Sequence, residues 1–106
     1  MYFHFLQEEE QNMLDMNYKR HIRFNHQTEH FAFIVGETEK SFLFFGLTHS
    51  PRTFHNKNIP LAKKNYIIPM LCIGEKKNFS NNKSNKRFER RDGPIIRDLL
   101  KKYKNR

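Results

Sequence analysis

Two runs of aromatic and β-branched residues, separated by a short polar segment, constrain the fold of this chain more than any other feature. The runs are residues 30–35 and 41–47, and a glycine-containing segment, residues 36–40, joins them. Residues of these types favour strands, and so short a connection favours an antiparallel hairpin. Residues 42–45 are all apolar, which is typical of a strand covered on both faces. We therefore predict a β-hairpin whose second strand is central in a sheet.

Other segments predict shorter or less regular elements. Residues 66–73 form a mostly apolar run. Pro69 lies within it and favours an edge position or a bulge, because proline donates no backbone hydrogen bond. Residues 59–61 predict a short edge strand. Residues 2–18 carry loosely spaced apolar side chains around three glutamates, and they fit a short amphipathic helix, an arm or a first strand.

The end of the chain predicts an α-helix over residues 94–103. Asp92-Gly93-Pro94 is a typical helix start, with Asp92 as N-cap and Pro94 in the first turn. Lysines and arginines toward the C-terminus suit the helix dipole. Apolar residues recur at helical spacing and define one stripe, made of Ile95, Ile96, Leu99, Leu100 and Tyr103.

These elements together predict an α+β fold. We expect a small, strongly bent antiparallel sheet, or an SH3-like barrel, with the C-terminal helix closing one side. A barrel-like sheet would leave no exposed edge. The length of 106 residues fits a single domain over residues 1–106.

The net charge of +9 is concentrated in the second half of the chain. Residues 1–53 hold five Lys or Arg against seven Asp or Glu, a formal charge of −2, whereas residues 54–106 hold fifteen against four, a formal charge of +11. A one-sided field attracts polyanions, because neutralised phosphates release counterions. The asymmetry favours a nucleic acid or another polyanion as partner, and a charge that serves solubility alone is the alternative. Among nucleic acids we expect RNA. Residues 76–91 are rich in Lys, Arg and Asn and predict a mobile basic loop.

The single cysteine favours a reducing compartment, and the short apolar runs argue against a membrane span. Cys72 is the only cysteine, so no internal disulfide can form, and its apolar neighbours predict a buried, unreactive thiol. No apolar run is long enough to span a bilayer, and the first residues do not resemble a signal peptide. We expect a cytoplasmic protein without a membrane partner.

Motifs of nucleotide-dependent enzymes and zinc proteases are absent. The chain contains no Walker loop, GxGxxG, HExxH or nucleophile elbow. Several histidines are clustered in sequence, but they lack the spacing of metal ligands, so surface or phosphate-facing roles are favoured and no metal or cofactor is expected. These histidines are His21, His26, His30, His49 and His55.

A short polar cluster follows the second strand of the hairpin and is the best candidate for catalysis. Thr48, His49, Ser50 and Arg52 lie within five residues, and Pro51 ends the strand. Arginine can bind a phosphate with two hydrogen bonds, and histidine can move a proton near neutral pH. RNA supplies its own nucleophile, the 2′-hydroxyl, so its cleavage requires no metal. The alternative is a polar loop whose two hydroxyls cap a turn.

Basic residues interleaved with aromatic ones are typical of single-strand binding, because bases stack on rings while phosphates contact cations. Phe79, Phe88 and Tyr103 supply such rings in the basic half. A solvated helix face with a disordered loop is the alternative. The candidate nucleic-acid-binding residues are Lys63, Lys64, Tyr66, Lys83, Lys86, Arg87, Arg90 and Arg91.

The hairpin with its apolar second strand, the turn over residues 47–52, the basic loop and the strand over residues 66–73 resemble the compact endoribonuclease toxins. The similarity is to the PemK/MazF-like barrels and especially to the ToxN-like enzymes of RNA-antitoxin systems, and it covers about half of the chain. It implies an SH3-like barrel that cleaves RNA without metal and leaves a cyclic phosphate, with an antitoxin as partner. It gives phosphate-side roles to Thr48, Ser50 and Arg52.

Three functions remain open from the sequence. The first is a metal-independent endoribonuclease, with Thr48, His49, Ser50 and Arg52 at the phosphate. The second is a basic accessory protein of a phage or mobile element that binds DNA or RNA without cutting it. The third is a small inhibitor that binds a protein partner.

Overall fold

The computed structural model describes residues 2–3, 21–53, 56–84 and 89–104, which form short and long strands followed by a helix. Three short 3-10 turns connect these elements at Ala62–Lys64, Lys76–Asn78 and Arg90–Asp92. The helix, α1, spans Gly93–Lys104. The strands are β1 (Tyr2–Phe3), β2 (His21–Asn25), β3 (His30–Glu37), β4 (Ser41–Thr48), β5 (Arg52–Thr53), β6 (Asn56–Lys57), β7 (Ile59–Pro60), β8 (Tyr66–Ile67) and β9 (Cys72–Glu75).

The predicted hairpin is confirmed and forms the centre of an antiparallel sheet. The main sheet runs β1-β9-β4-β3-β2, and β4 pairs with β3 along one side. Along its other side β4 pairs first with β9 and then, at its end, with β8. The register between β3 and β4 shifts between Ile34 and Gly36, a bulge that increases the local twist. The predicted edge strand is also present, since β7 pairs with β8.

The α+β fold is confirmed, but the sheet does not close into a barrel. Among the described strands, the path ends at β1 on one side and at β2 on the other. The outer edge of β2 is instead bonded to residues 78–84. His26 N–H donates to Asn78 O (2.8 Å), Ser80 N–H to Phe24 O (2.9 Å), and Ser84 N–H to Ile22 O (2.7 Å). Because these contacts satisfy the edge, closure is not needed to protect it.

The strand predicted over residues 66–73 is wrong in its extent, because it is divided into β8 and β9. Pro69 lies in the interruption, where Met70 N–H donates to Ile68 O (2.8 Å) and forms a tight turn. Tyr103 of α1 stabilises this turn, since its hydroxyl donates to Pro69 O (3.0 Å) and accepts from Leu71 N–H (3.2 Å).

Helix α1 covers one face of the sheet, as its apolar stripe predicts. Ile96, Leu99 and Leu100 are buried, and they pack in one cluster with side chains of the sheet such as Phe45 and Ile67. Asp92 directly precedes the helix, but its carboxylate accepts its hydrogen bonds from the Ala62 N–H rather than capping the first turn.

The opposite face of the sheet holds a second buried cluster. It contains Phe42, Phe44, Cys72 and Phe79. Burial raises the pKa of the Cys72 thiol to about 12, and the thiol donates to Met70 O (3.4 Å). The prediction that this thiol is buried is therefore confirmed, and a thiol whose pKa is raised in this way is expected to stay protonated at neutral pH.

Two sequence predictions fall wholly or partly outside the described residues. For residues 2–18 only β1 is described, and it pairs with β9. The loop predicted over residues 76–91 is described up to residue 84 and again from residue 89. Its first part is attached to β2 as above and anchored by Phe79, which is 3% exposed. No helix in the described part of the chain is long and apolar enough to cross a membrane.

Candidate functional site

A cleft of about 460 Å³ lies at the open end of the β3–β4 hairpin. Its walls come from the β2–β3 turn, the end of β4, residues 61–65 and the segment before α1. Its lining combines aromatic and aliphatic side chains with titratable ones. The lining residues are Ile22, Phe24, Glu29, His30, Phe31, Leu47, Thr48, His49, Leu61, Ala62, Lys63, Asn65, Glu89 and Asp92.

The hairpin brings two histidines to this cleft. Ala32 lies opposite Gly46 in the antiparallel register, so the first residue of β3, His30, lies beside the end of β4. The chain leaves β4 at Thr48, and His49 follows immediately. Both imidazoles are exposed at the cleft, whereas the Thr48 side chain is half-buried.

A lysine enters the cleft from a turn with an unusual backbone. Lys63 and Lys64 both adopt positive φ, at 57° and 58°, a backbone conformation that residues other than glycine rarely take. The turn is held by buried Asp92, whose two carboxylate oxygens each lie 3.2 Å from the Ala62 nitrogen. Asp92 therefore attaches the turn that carries Lys63 to the start of α1.

An ion pair joins two residues of the cleft lining. Lys63 Nζ lies 2.9 Å from a carboxylate oxygen of Glu89. The hydrogen bond and the charge of Glu89 raise the pKa of Lys63, and the same contact with Lys63 lowers the pKa of Glu89. Both side chains are substantially exposed, so the pair contributes little to stability, and a competing anion or cation can displace it.

The cluster predicted to be catalytic is divided by the structure. Thr48 and His49 line the cleft, whereas Ser50 and Arg52 do not. Thr48 Oγ1 accepts from Ser50 N–H (3.1 Å), and Ser50 Oγ donates to Arg52 O (2.7 Å). Buried Asn58 reinforces this turn, donating to Ser50 O (3.0 Å) and to Thr53 Oγ1 (2.8 Å). The two hydroxyls thus act as turn caps, and the exposed Arg52 side chain lies on the adjacent β5.

Among the described basic residues predicted to bind nucleic acid, Lys63 is the one that lines the cleft. Exposed Lys64 and half-buried Tyr66 follow it in the chain but lie outside the lining. Arg90 and Arg91 are exposed between two cleft residues, Glu89 and Asp92. Lys83 is exposed on the segment attached to β2, and Lys86 and Arg87 lie outside the described residues.

Several cleft residues were not singled out from the sequence as candidates for chemistry. They include Glu29, Asn65, Glu89 and Asp92, and His30 was considered only within the histidine set. Pairing the open ends of the predicted hairpin would have placed His30 near Thr48. No sequence signal indicates the others, because they are brought together by turns distant in the chain. Within the described ranges, no three His, Cys, Asp or Glu side chains are grouped as metal ligands.

Comparison of the chain with protein-family models, with curated proteins and with solved structures found no match. The cleft and its surroundings are therefore interpreted from their own chemistry.

Proposed function

We propose that the protein is a metal-independent endoribonuclease that holds a base of single-stranded RNA in the cleft and cleaves the chain beside it. The observation that supports this proposal is the pair of exposed histidines, His30 and His49, on one cleft that Lys63 also lines. Two imidazoles can supply a general base and a general acid, and a cation can stabilise the charge that develops on the phosphate during RNA transphosphorylation.

The chemistry uses the RNA's own nucleophile. One imidazole removes the proton of the 2′-hydroxyl, whose oxygen forms a bond to the adjacent phosphorus. The bond from phosphorus to the 5′-oxygen breaks, and the other imidazole, protonated, donates a proton to that oxygen. The products are a 2′,3′-cyclic phosphate and a 5′-hydroxyl. Which histidine acts as base depends on the direction of the bound strand.

Lys63 is the cation available to the phosphate. In the free protein it is paired with Glu89, so substrate phosphate would compete with that carboxylate for the ammonium. The exposed Arg90 and Arg91 next to Glu89, with Lys64 beside Lys63, offer contacts for neighbouring phosphates outside the cleft. Arg52 lies on β5, after the turn that follows β4. We assign it a contact with a neighbouring phosphate and no part in the proton transfers.

The test is single-turnover cleavage of labelled single-stranded RNA in EDTA by the wild-type protein and by His30→Ala and His49→Ala variants. Each substitution should slow cleavage by about 10²–10⁴-fold, the usual contribution of a general acid or base. His26→Ala is the matched control, because His26 is exposed but does not line the cleft, and it should cleave at the wild-type rate.

A binding protein without nuclease activity is the second candidate. Exposed cations continue from Arg90 and Arg91 along α1 to Arg97, Lys101 and Lys102, and such a surface alone can hold a polyanion. RNA binding that weakens with salt, without cleavage of any RNA offered, would favour this candidate over the enzyme. If the protein neither binds nor cleaves RNA, the third function, a small inhibitor of a protein partner, is favoured.

The resemblance to endoribonuclease toxins contributes the expectation of an antitoxin partner, and the single cysteine contributes that of a cytoplasmic location. Both remain part of the proposal. The open sheet departs from the barrel that the resemblance implies, so the proposed site depends on the cleft residues and not on a barrel surface.

A further inference from the structure

We infer that the cleft selects guanine, and that Glu29 is the residue that reads it. Guanine selection rests on the proposed function, because it identifies the base that the cleft of the proposed ribonuclease receives. The inference is carried by the shape of the cleft, by the excess of hydrogen-bond acceptors on its walls and by a lining carboxylate that has no partner among the described residues.

The cleft has the size and the floor that a nucleobase needs. Its volume of about 460 Å³ lies within the range typical of sites for small organic ligands. Phe24 and Phe31 line it with their rings 5.2 Å apart in an edge-to-face arrangement, and both rings are only partly buried. A planar base in the cleft can therefore contact these partly buried rings, and aromatic side chains are the usual means of holding an unpaired base.

Acceptors outnumber fixed cations among the polar groups of the cleft. Of the described residues that line it, three carry carboxylates, Glu29, Glu89 and Asp92, whereas Lys63 alone carries an ammonium. Two of the carboxylates are occupied, since Glu89 is paired with Lys63 and Asp92 accepts from Ala62 N–H. A ligand that fits this wall brings N–H donors.

Glu29 is the carboxylate that remains available. Its side chain is exposed at the cleft and makes no hydrogen bond or ion pair within the described part of the chain. Its backbone is fixed, because Glu29 N–H donates to Asn25 O (2.8 Å) and the Oδ1 of buried Asn25 accepts from Gln27 N–H (3.0 Å). Glu29 adopts a φ of 61° in this turn, so the turn holds the residue beside the cleft.

Guanine is the base whose donors match a carboxylate. Its N1–H and N2–H groups are adjacent and parallel, so they can donate to both oxygens of one carboxylate at once. Adenine and cytosine offer one amino group next to a ring acceptor, which a carboxylate repels. Uracil offers one N–H between two carbonyls. A wall that presents an available carboxylate therefore discriminates in favour of guanine.

The experiment measures binding without cleavage, so that it stands apart from the test of catalysis. Four fluorescent 2′-deoxy pentanucleotides, identical except for G, A, C or U at the central position, are titrated with the wild-type protein at fixed salt. The G-containing strand should bind at least about tenfold more tightly than the others, the preference that one bidentate side chain typically gives. Glu29→Gln replaces one acceptor by a donor and should make the four affinities equal.

The control is Glu39→Gln, because Glu39 is exposed in the β3–β4 connection, at the opposite end of β3 from the cleft. It should keep the preference for G. Equal affinities for the four strands with the wild-type protein would overturn guanine selection and leave the proposed cleavage intact. A preference for G that survives Glu29→Gln would overturn the role of Glu29. Failure of all four strands to bind, together with failure to cleave RNA, would overturn both the inference and the proposed function.

Discussion

Replacing Phe79 by alanine should destabilise the protein strongly and release the segment that covers the edge of β2. Phe79 is 3% exposed, although it lies in a segment that is otherwise polar and basic. Its ring packs edge-to-face against Phe42 and Phe44, with centroid separations of 5.2 Å in both pairs. Phe79 thus connects the buried face of the sheet to the residues that bond to β2.

The expected cost follows from these contacts. Truncating a buried phenylalanine to alanine costs about 3–5 kcal/mol, and an aromatic pair adds about 0.5–1.5 kcal/mol beyond its buried area. Gly74 shows how close the packing is, since a Cβ there would lie 3.2 Å from the rings of both Phe44 and Phe79. We therefore expect Phe79→Ala to lower the free energy of unfolding by about 4–5 kcal/mol. That is a large part of the about 5–15 kcal/mol that stabilises a typical domain.

Urea unfolding followed by circular dichroism measures this cost, with Phe79→Leu as the conservative control that should lose less, because leucine keeps most of the apolar volume. Amide hydrogen exchange gives the local readout. The N–H groups of Ser80 and Ser84, which donate to Phe24 O and Ile22 O, should exchange faster in Phe79→Ala than in Phe79→Leu. A loss below about 1 kcal/mol with unchanged exchange would refute the role given to this residue.

Four further outcomes are expected. Leu99→Ala should cost about 2–4 kcal/mol because Leu99 is 5% exposed in the cluster under α1; an unchanged melting midpoint would mean that the helix is not docked. Asp92→Ala should cost about 1–3 kcal/mol in urea unfolding by leaving the Ala62 N–H without its acceptor; a stability equal to wild type would contradict the role of Asp92 in attaching the turn at Ala62 to the start of α1. Gly74→Ala should lower the melting midpoint through the 3.2 Å contacts of its Cβ, whereas Gly93→Ala, with open space around its Cβ, should not. Reversing the charges of Arg90 and Arg91 should weaken RNA binding and reduce the slope of log affinity against log salt by about 0.7 for each phosphate that is no longer neutralised, while Lys40→Glu should leave the slope unchanged.

The β3–β4 hairpin and the helix could be predicted from the sequence because each has a clear local pattern of apolar residues. Phe42–Phe45 are apolar without interruption, and the stripe from Ile96 to Tyr103 repeats at helical spacing. The short strands β5 and β8 were less accessible, since two-residue pairs leave no pattern. Strand β2 was missed although His21–Asn25 alternates polar and apolar residues, the pattern of a half-buried strand. Its pairing with β3 depends on a turn held by Asn25 rather than by glycine.

The candidate site could be predicted only in part. The position of His49 after a buried strand marked it as a candidate, and the cleft contains it. The roles of Ser50 and Thr48 could not be separated from the sequence, because a hydroxyl that caps a turn and one that faces a ligand look alike until their partners are known. Glu29 and Glu89 come from turns far apart in the chain, and only folding brings them to the same cleft.

Cleavage of RNA compared with its DNA counterpart is the measurement on which the proposed function depends most. An RNA oligonucleotide and the same sequence in 2′-deoxy form are incubated in EDTA with the wild-type protein and with the His30→Ala/His49→Ala double variant. We expect the wild-type protein to cleave only the RNA and to leave a 2′,3′-cyclic phosphate, while both oligonucleotides bind and the double variant binds without cutting. Cleavage of the 2′-deoxy strand at a comparable rate, or RNA cleavage that persists in the double variant, would contradict a mechanism in which these two histidines activate the 2′-hydroxyl.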